Sequence, residues 1–173
     1  KERVAVIAVS SADGKVSNTY TLTQKFPGST STPLIVTYDF TKISGFNDWG
    51  SSYTKHVVKY DVADVVFSSA NKNTGTITDR PVTKGQPICV VMSVGKTIKS
   101  VKLICKQWGN KSQTITLNTS TDGGTNYTAT TTKSSNFTLS ASDIADGVNA
   151  VKFTFSSTNN QVGISSLELT YTE

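Results

Sequence analysis

Apolar and polar side chains alternate over short stretches along most of this chain. In residues 98–108, Val101, Leu103 and Cys105 share one face of the alternating pattern. The opposite face holds Lys102, Ile104, Lys106 and Trp108. A period of two with one apolar face predicts a half-buried β-strand, so we expect the first face to lie in a core and the second to meet solvent.

Segments of this kind follow one another at short intervals, with turn residues between them. The predicted strands are residues 4–10, 17–24, 34–40, 56–60, 65–68, 75–79, 87–93, 98–108, 113–119, 127–132, 136–139, 150–156 and 164–172. The only helical pattern is a single turn at residues 140–146, with Ser140 or Ser142 as its cap and Gly147 after it. This spacing predicts an all-β fold, an antiparallel β-sandwich, and excludes a parallel α/β fold.

The alternation stops at residues 26–33, where glycine, proline and small hydroxyl residues predict a linker. We therefore expect residues 1–32 to form an N-terminal β-hairpin and linker, and residues 33–173 to form the sandwich. A lone hairpin is marginally stable in water, so this one either packs on the sandwich or is the tail of a preceding domain. Because a strand pattern begins almost at Lys1, we expect the chain to be a piece of a longer protein.

Lysine supplies nearly all of the positive charge in a chain of formal net charge +5. Arg3 and Arg80 are the only arginines, which disfavours nucleic acid as a partner, because base and phosphate recognition relies on arginine. A lysine stripe on and just after the predicted strand at residues 98–108 is either a solvated face or an attachment surface for an anionic polymer. It consists of Lys99, Lys102, Lys106 and Lys111. No segment is apolar and long enough to predict membrane insertion.

The chain offers little for catalysis or for a metal. His56 is the only histidine, and we expect it on the surface or at a strand edge. No two carboxylates have a spacing that predicts glycoside cleavage, so we do not expect an enzyme. Cys89 and Cys105 could form a bridge if their strands pair as a hairpin, but we favour two free thiols with Cys105 in the core. Two cysteines and one histidine cannot close a zinc shell, so no metal or cofactor is predicted.

Residues 120–127, STDGGTNY, nearly fit the Asp-box pattern S-x-D-x-G-x-x-W, with Tyr127 in place of tryptophan. Asp122 can accept hydrogen bonds from its own turn, and Gly123 and Gly124 permit positive φ angles. The motif therefore predicts a hairpin turn and not an active site.

The remaining chemistry is that of a ligand-binding surface. The polar loop at residues 44–55 carries Phe46, Trp49 and Tyr53, of which we expect Phe46 in the core. Flat aromatic rings stack on the apolar faces of sugar rings, while amide, carboxylate and guanidinium groups bind the hydroxyls. The candidate ligand-binding residues are Trp49, Tyr53, Trp108, Asn47, Asp48, Arg80, Gln107 and Asn110. The alternative is that Trp49 covers an end of the sandwich and Trp108 plugs its edge.

Two resemblances extend this interpretation. The N-terminal hairpin resembles the end of a chitobiase-type C-terminal β-domain, through Ala8, Val9, Asp13, Gly14, Lys15, Ser17 and Tyr20. Residues 34–173 resemble the non-catalytic β-sandwich modules of secreted multidomain proteins of gut bacteria, which are similar to galactose-binding-like jelly rolls. The matching segments are YDFTKISGFNDWGSSY, TGTITDRPVTKG, KTIKSVKLICKQW, STDGGTNY and VKFTFSSTNNQVGISSLELTY.

The second resemblance implies a non-catalytic jelly-roll module that binds polysaccharide or another glycan. Such a module would belong to a secreted or cell-surface bacterial protein with neighbouring domains. Glu168, on the last predicted strand, is expected to point outward as a cross-strand charge. In related jelly rolls an acidic residue at such a place can help to hold a structural calcium. The alternatives are a structural or adhesive spacer module without a glycan ligand, and attachment to an anionic polymer through the lysine stripe.

Overall fold

The computed structural model describes residues 2–10, 17–25, 32–73, 75–109, 112–134 and 137–173. It divides into two compact units, Lys1–Thr32 and Pro33–Glu173. Strands β1 (Glu2–Ser10) and β2 (Ser17–Lys25) form the first unit and pair antiparallel, from Glu2 opposite Lys25 to Ser10 opposite Ser17. The turn of the predicted hairpin, residues 11–16, lies outside the described residues.

The second unit is almost entirely β-structure. Its strands are β3 (Leu34–Asp39), β4 (Thr54–Lys59), β5 (Ala63–Lys72), β6 (Pro81–Lys84), β7 (Ile88–Met92), β8 (Thr97–Gln107), β9 (Ile115–Ser120), β10 (Thr128–Lys133), β11 (Thr138–Ala141), β12 (Ala150–Phe155) and β13 (Gln161–Thr172). Two 3-10 helices, Phe40–Lys42 and Phe46–Asp48, follow β3. Every strand pair is antiparallel.

The strand order defines two layers joined at one corner. The first layer runs β4-β5-β7-β12-β9-β10 and the second runs β3-β13-β8-β11. Strand β6 joins them, because Thr83 lies opposite Ala70 of β5 and also opposite Val162 of β13. Within the described part of the chain, β3 pairs only with β13 and β4 only with β5. Each of these two strands is therefore one free edge of its layer, and β10 and β11 lie at the other edges.

A single apolar core lies between the layers. The first layer contributes Val65, Phe67 and Phe153, and the second contributes Leu103 and Leu167, all essentially inaccessible to solvent and in one contact cluster. Along β8 the predicted core face of Val101, Leu103 and Cys105 is buried while Lys102 and Lys106 are exposed. The predicted antiparallel all-β sandwich is confirmed.

Two predicted elements are wrong. Residues 75–79 form no strand, and the nearby strand is β6. Ile77 is buried against Gly163 and does not pair in the sheet. The predicted helical turn at residues 140–146 is also absent, because β11 continues to Ala141 and Asp143 has a φ of 57°, which no right-handed helix accepts.

The cysteines lie in different layers. Strand β7, with Cys89, pairs with β5 and β12, whereas β8, with Cys105, pairs with β13 and β11, so the hairpin that would have brought them together does not form. Both thiols are free, as favoured from the sequence. Burial raises the pKa of Cys105 and of the partly buried Cys89, which makes both thiols weaker nucleophiles.

The turn at residues 120–127 joins β9 to β10 as a hairpin, as predicted. Asp122 Oδ1 accepts hydrogen bonds from the backbone N–H groups of Thr125 and Asn126, each at 3.0 Å, and from Ser120 Oγ at 2.6 Å. These bonds, led by that from the Asn126 backbone, lower the pKa of Asp122 to about 2. The ionised carboxylate is therefore the centre of the turn.

This turn makes stability depend on pH in acid. Because the pKa of Asp122 is lower in the folded state, its contribution is present above the unfolded-state pKa and is lost as pH falls from about 4 towards 2. We expect Asp122→Asn to melt below the wild type at pH 7, and the difference to shrink across that interval. Thermal denaturation followed by circular dichroism measures this difference in melting temperature. Asp48→Asn, at an exposed carboxylate in another turn, is the control, and an equal pH dependence in both variants would contradict the assignment.

Candidate functional site

The free edges β3 and β4 border two adjoining depressions of about 460 and 590 Å³. Both depressions are lined by Asp39, Lys42, Lys59 and Tyr60. We call their combined surface the β3–β4 groove. Its remaining lining is Ile43, Ser44, Trp49, His56, Val57 and Val58 in one depression, and Ile35, Val36, Thr37, Tyr38, Asp61, Val62 and Tyr171 in the other.

Trp49 forms one wall of the groove and is partly buried against the core. Its ring is stacked on the imidazole of His56, with centres 3.7 Å apart and planes within 5°, and meets Phe46 and Phe67 edge-on. Phe46 is in turn buried, as predicted. Since His56 covers one face of the indole, at most the opposite face is open to a ligand.

His56 is held firmly in this stack. It lies on the edge strand β4, as predicted, and its Nε2 is 2.9 Å from Thr54 Oγ1. Burial lowers the pKa of His56, which a hydrogen bond with the Ala70 backbone partly opposes. The stack with Trp49 and the contact with Thr54 Oγ1 together fix the orientation of the imidazole.

A second aromatic stack lines the other half of the groove. The rings of Tyr38 and Tyr60 are 4.1 Å apart and inclined by 22°. Tyr38 is 4% exposed, and its hydroxyl has no hydrogen-bond partner among the described residues. Burial, followed by the nearby Tyr60 and Tyr171, raises its pKa. Tyr60 is less buried and lines both depressions, so its ring is the aromatic surface that the two halves share.

Charged groups of both signs lie beside these rings. Asp39 forms an ion pair with Lys42 at 3.2 Å and accepts hydrogen bonds from the backbone and hydroxyl of Thr41. The Thr41 bonds, followed by Lys42, hold the pKa of Asp39 below its usual range. Lys59 and Asp61 add one further charge of each sign. The groove is thus polar and ionic but close to neutral overall.

The other candidates from the loop at residues 44–55 lie outside the groove. Asn47 Oδ1 accepts a hydrogen bond from Lys72 Nζ at 2.6 Å, and Asp48 is exposed in the second 3-10 helix. The Tyr53 hydroxyl accepts a hydrogen bond from Gln161 Nε2 at 2.7 Å, and burial raises its pKa. Tyr53 lines a separate pocket.

The remaining candidates lie near the joining strand β6 and the end of β8. Arg80 donates to both carboxylate oxygens of Asp79 and to Ser165 Oγ, so its guanidinium is already engaged. Trp108 is partly buried and lies beside Gly75. A Cβ added to Gly75 would be 3.5 Å from the indole ring. Gln107 is exposed beside another depression, and Asn110 lies outside the described residues. Trp49 and Trp108 therefore line different surfaces.

The lysine stripe has acidic neighbours along its described length. Lys99 forms an ion pair with Asp146 and Lys102 lies opposite Glu168 in the β8–β13 register. Lys106 is near enough to Asp79 to lower the pKa of that carboxylate, after the larger effect of Arg80. Lys111 is not among the described residues. The described part of the lysine stripe is thus a mixed-charge face, which weighs against attachment of an anionic polymer there.

In the described ranges, no three histidine, cysteine, aspartate or glutamate side chains are grouped closely enough to hold a metal ion. Helices of the described chain are too short or too polar to cross a membrane.

Comparison with protein-family models, with curated proteins and with solved structures returned no match for this chain.

Sequence reasoning found Trp49 but missed most of the groove. Tyr38 was assigned only to a strand, and Tyr60 was the last residue of another predicted strand. The available signal was their position: Tyr38 lies on the inward face of an edge strand, where an aromatic ring reaches the border between the layers.

Proposed function

We propose that the second unit, Pro33–Glu173, is a non-catalytic carbohydrate-binding module of jelly-roll, galactose-binding-like type, in a secreted or cell-surface bacterial protein. Its partner would be a polysaccharide or another glycan held in the β3–β4 groove. The observation that carries the proposal is the combination, in one groove, of the partly buried Tyr60 ring, stacked on Tyr38 on one side, with charges of both signs beside β3 and β4.

The chemistry of the groove suits a sugar chain. The apolar C–H face of a pyranose stacks on an aromatic ring, while its hydroxyls bind carboxylate, ammonium and backbone groups. Here Tyr60 supplies the ring, Asp39, Lys42 and Lys59 supply charged partners, and β3 and β4 supply edge peptide groups. An open groove of this kind accommodates several consecutive sugar residues.

The proposed role is binding without reaction. A glycosidase needs a carboxylic acid that stays protonated near neutral pH, which requires a raised pKa. Asp39 is held ionised by Thr41 and Lys42 instead, because these groups lower its pKa. This supports a function in attachment.

Removing the Tyr60 ring tests the proposal. We expect Tyr60→Ala to weaken polysaccharide binding about tenfold, since an aromatic stacking contact contributes about 0.5–1.5 kcal/mol beyond its buried area. Tyr60→Phe keeps the stacking surface and should bind nearly as the wild type does. Isothermal titration against plant, fungal and host polysaccharides measures this after circular dichroism has confirmed folding. Trp108→Ala, on a different surface, is the matched control.

The proposal fails if no polysaccharide in the panel binds, or if Tyr60→Ala binds as well as the wild type. Absence of binding would favour the second candidate function, that of a structural or adhesive spacer. What favours that candidate is that both tryptophans are partly buried, Trp49 under His56 and Trp108 beside Gly75, as expected of covering side chains.

A further inference from the structure

A separate polar pocket of about 380 Å³ lies at one end of the sandwich, away from the β3–β4 groove. Its lining consists of Tyr53, Ser69, Lys84, Gln86, Thr158 and Asn159. We call it the end pocket. Its volume lies at the small end of the range for small-molecule sites, which suits a single sugar residue.

The walls of the end pocket are fixed by contacts behind them. Gln113 is 7% exposed, and its Nε2 donates to the carbonyl oxygens of Ser157 at 2.8 Å and Asn160 at 3.2 Å. Its Oε1 accepts from the Ser157 backbone N–H at 2.9 Å. These bonds hold the loop bearing Thr158 and Asn159. A pocket with prepared walls loses little conformational entropy when it binds a ligand.

Tyr53 is also held in place by a side-chain hydrogen bond. Its hydroxyl accepts a hydrogen bond from Gln161, which fixes the position of the ring. The phenol is partly buried and still lines the end pocket. Tyr53 thus provides a positioned aromatic surface, while the neighbouring amides and hydroxyls can bind sugar oxygens.

The charge of the end pocket distinguishes it from the groove. Lys84 is exposed, and no carboxylate of the described residues lies within ion-pair distance of it. The described lining contains no acidic side chain. The β3–β4 groove, by contrast, contains Asp39 and Asp61 beside its lysines. The end pocket therefore favours a ligand with one negative charge.

We propose that the end pocket binds a sugar residue that carries a carboxylate, a uronic acid, with Lys84 as the carboxylate partner and Tyr53 as the stacking surface. This inference rests on the proposed carbohydrate-binding function and adds to it a second site and a class of sugar. Gln86 and Asn159 bind the hydroxyls that acidic and neutral sugars share, so Lys84 carries the discrimination.

The test compares two ligands that differ only at the sixth carbon, methyl β-D-glucuronide and methyl β-D-glucoside. Titration of the ¹⁵N-labelled full chain by NMR should shift the side-chain amide signals of Gln86 and Asn159, with the glucuronide binding about tenfold more tightly. A tenfold preference corresponds to about 1.4 kcal/mol, which one charge-assisted hydrogen bond can supply. Raising the salt concentration should reduce the preference, because one exposed charge carries it.

Lys84→Gln should abolish the preference by weakening glucuronide binding about tenfold. Lys133→Gln, at an exposed lysine on β10, is the matched control and should behave as the wild type does. Equal binding of the two sugars by the wild type, or an undiminished preference in Lys84→Gln, overturns the inference. Failure of the groove appears instead as absent polysaccharide binding, or as polysaccharide binding that Tyr60→Ala leaves unchanged, so the two outcomes are distinguishable.

Discussion

Phe67→Ala is expected to lower the free energy of unfolding by about 3–5 kcal/mol, the range typical of large aromatic deletions in a core. Phe67 is fully buried in β5, meets Phe40 edge-on at 5.4 Å and meets Trp49 edge-on at 5.5 Å. Its removal leaves a cavity directly behind the aromatic wall of the β3–β4 groove. Urea denaturation followed by circular dichroism measures the loss.

Two variants separate this effect from a general sensitivity of the strands. Phe67→Leu keeps most of the apolar volume and should cost less than half as much as the alanine variant. Val57→Ala changes an exposed side chain of the neighbouring strand and should stay within about 0.5 kcal/mol of the wild type. The fluorescence of Trp49 should change in Phe67→Ala, because the indole loses an edge contact. A loss below about 1 kcal/mol would show that Phe67 does not support this wall.

The sandwich was predictable because burial in a strand follows directly from alternation. From Val101 to Cys105 on β8, every second side chain reaches the core. The same period on β13 buries Leu167, Leu169 and Tyr171 and leaves Glu168 exposed. A pattern of this kind depends only on local backbone geometry. It therefore identifies the strand and its inner face without knowledge of its partners.

The corner between the layers was not predictable in the same way. Ile77 is buried although it lies on no strand, because Gly163 leaves room for it on β13. Its apolar character was consequently read as part of a strand at residues 75–79. The contact joins residues more than eighty positions apart, and no local period records such a contact.

The candidate site was predictable only in part, for a related reason. The composition of the loop at residues 44–55 identified Trp49 and Tyr53 as aromatic residues near the surface, but the structure places them in different depressions. The groove exists because the edges of two layers border it, and Tyr38 and Tyr60 meet across that border. Which side chains share a surface thus depends on tertiary pairing, not on loop composition.

The end of the sandwich is most sensitive at Gly85. This residue has a φ of 66°, and a Cβ here would lie 2.1 Å from the Ser157 carbonyl oxygen and 2.4 Å from Thr158 Cα, two backbone atoms that cannot move alone. We expect Gly85→Ala to lower the free energy of unfolding by about 2–5 kcal/mol, combining the left-handed conformation with overpacking.

Gly95→Ala is the matched control for this substitution. Gly95 also has a positive φ, of 86°, but no atom lies within 4 Å of its Cβ position, so only the conformational cost of about 1–2 kcal/mol applies. Urea denaturation of both variants isolates the contribution of the close approach. Gly85→Ala should also move the loop that carries Thr158, and with it one wall of the end pocket. Equal losses in the two variants would mean that the loop yields freely, and the end pocket would then lack the fixed wall that carries Thr158 and Asn159.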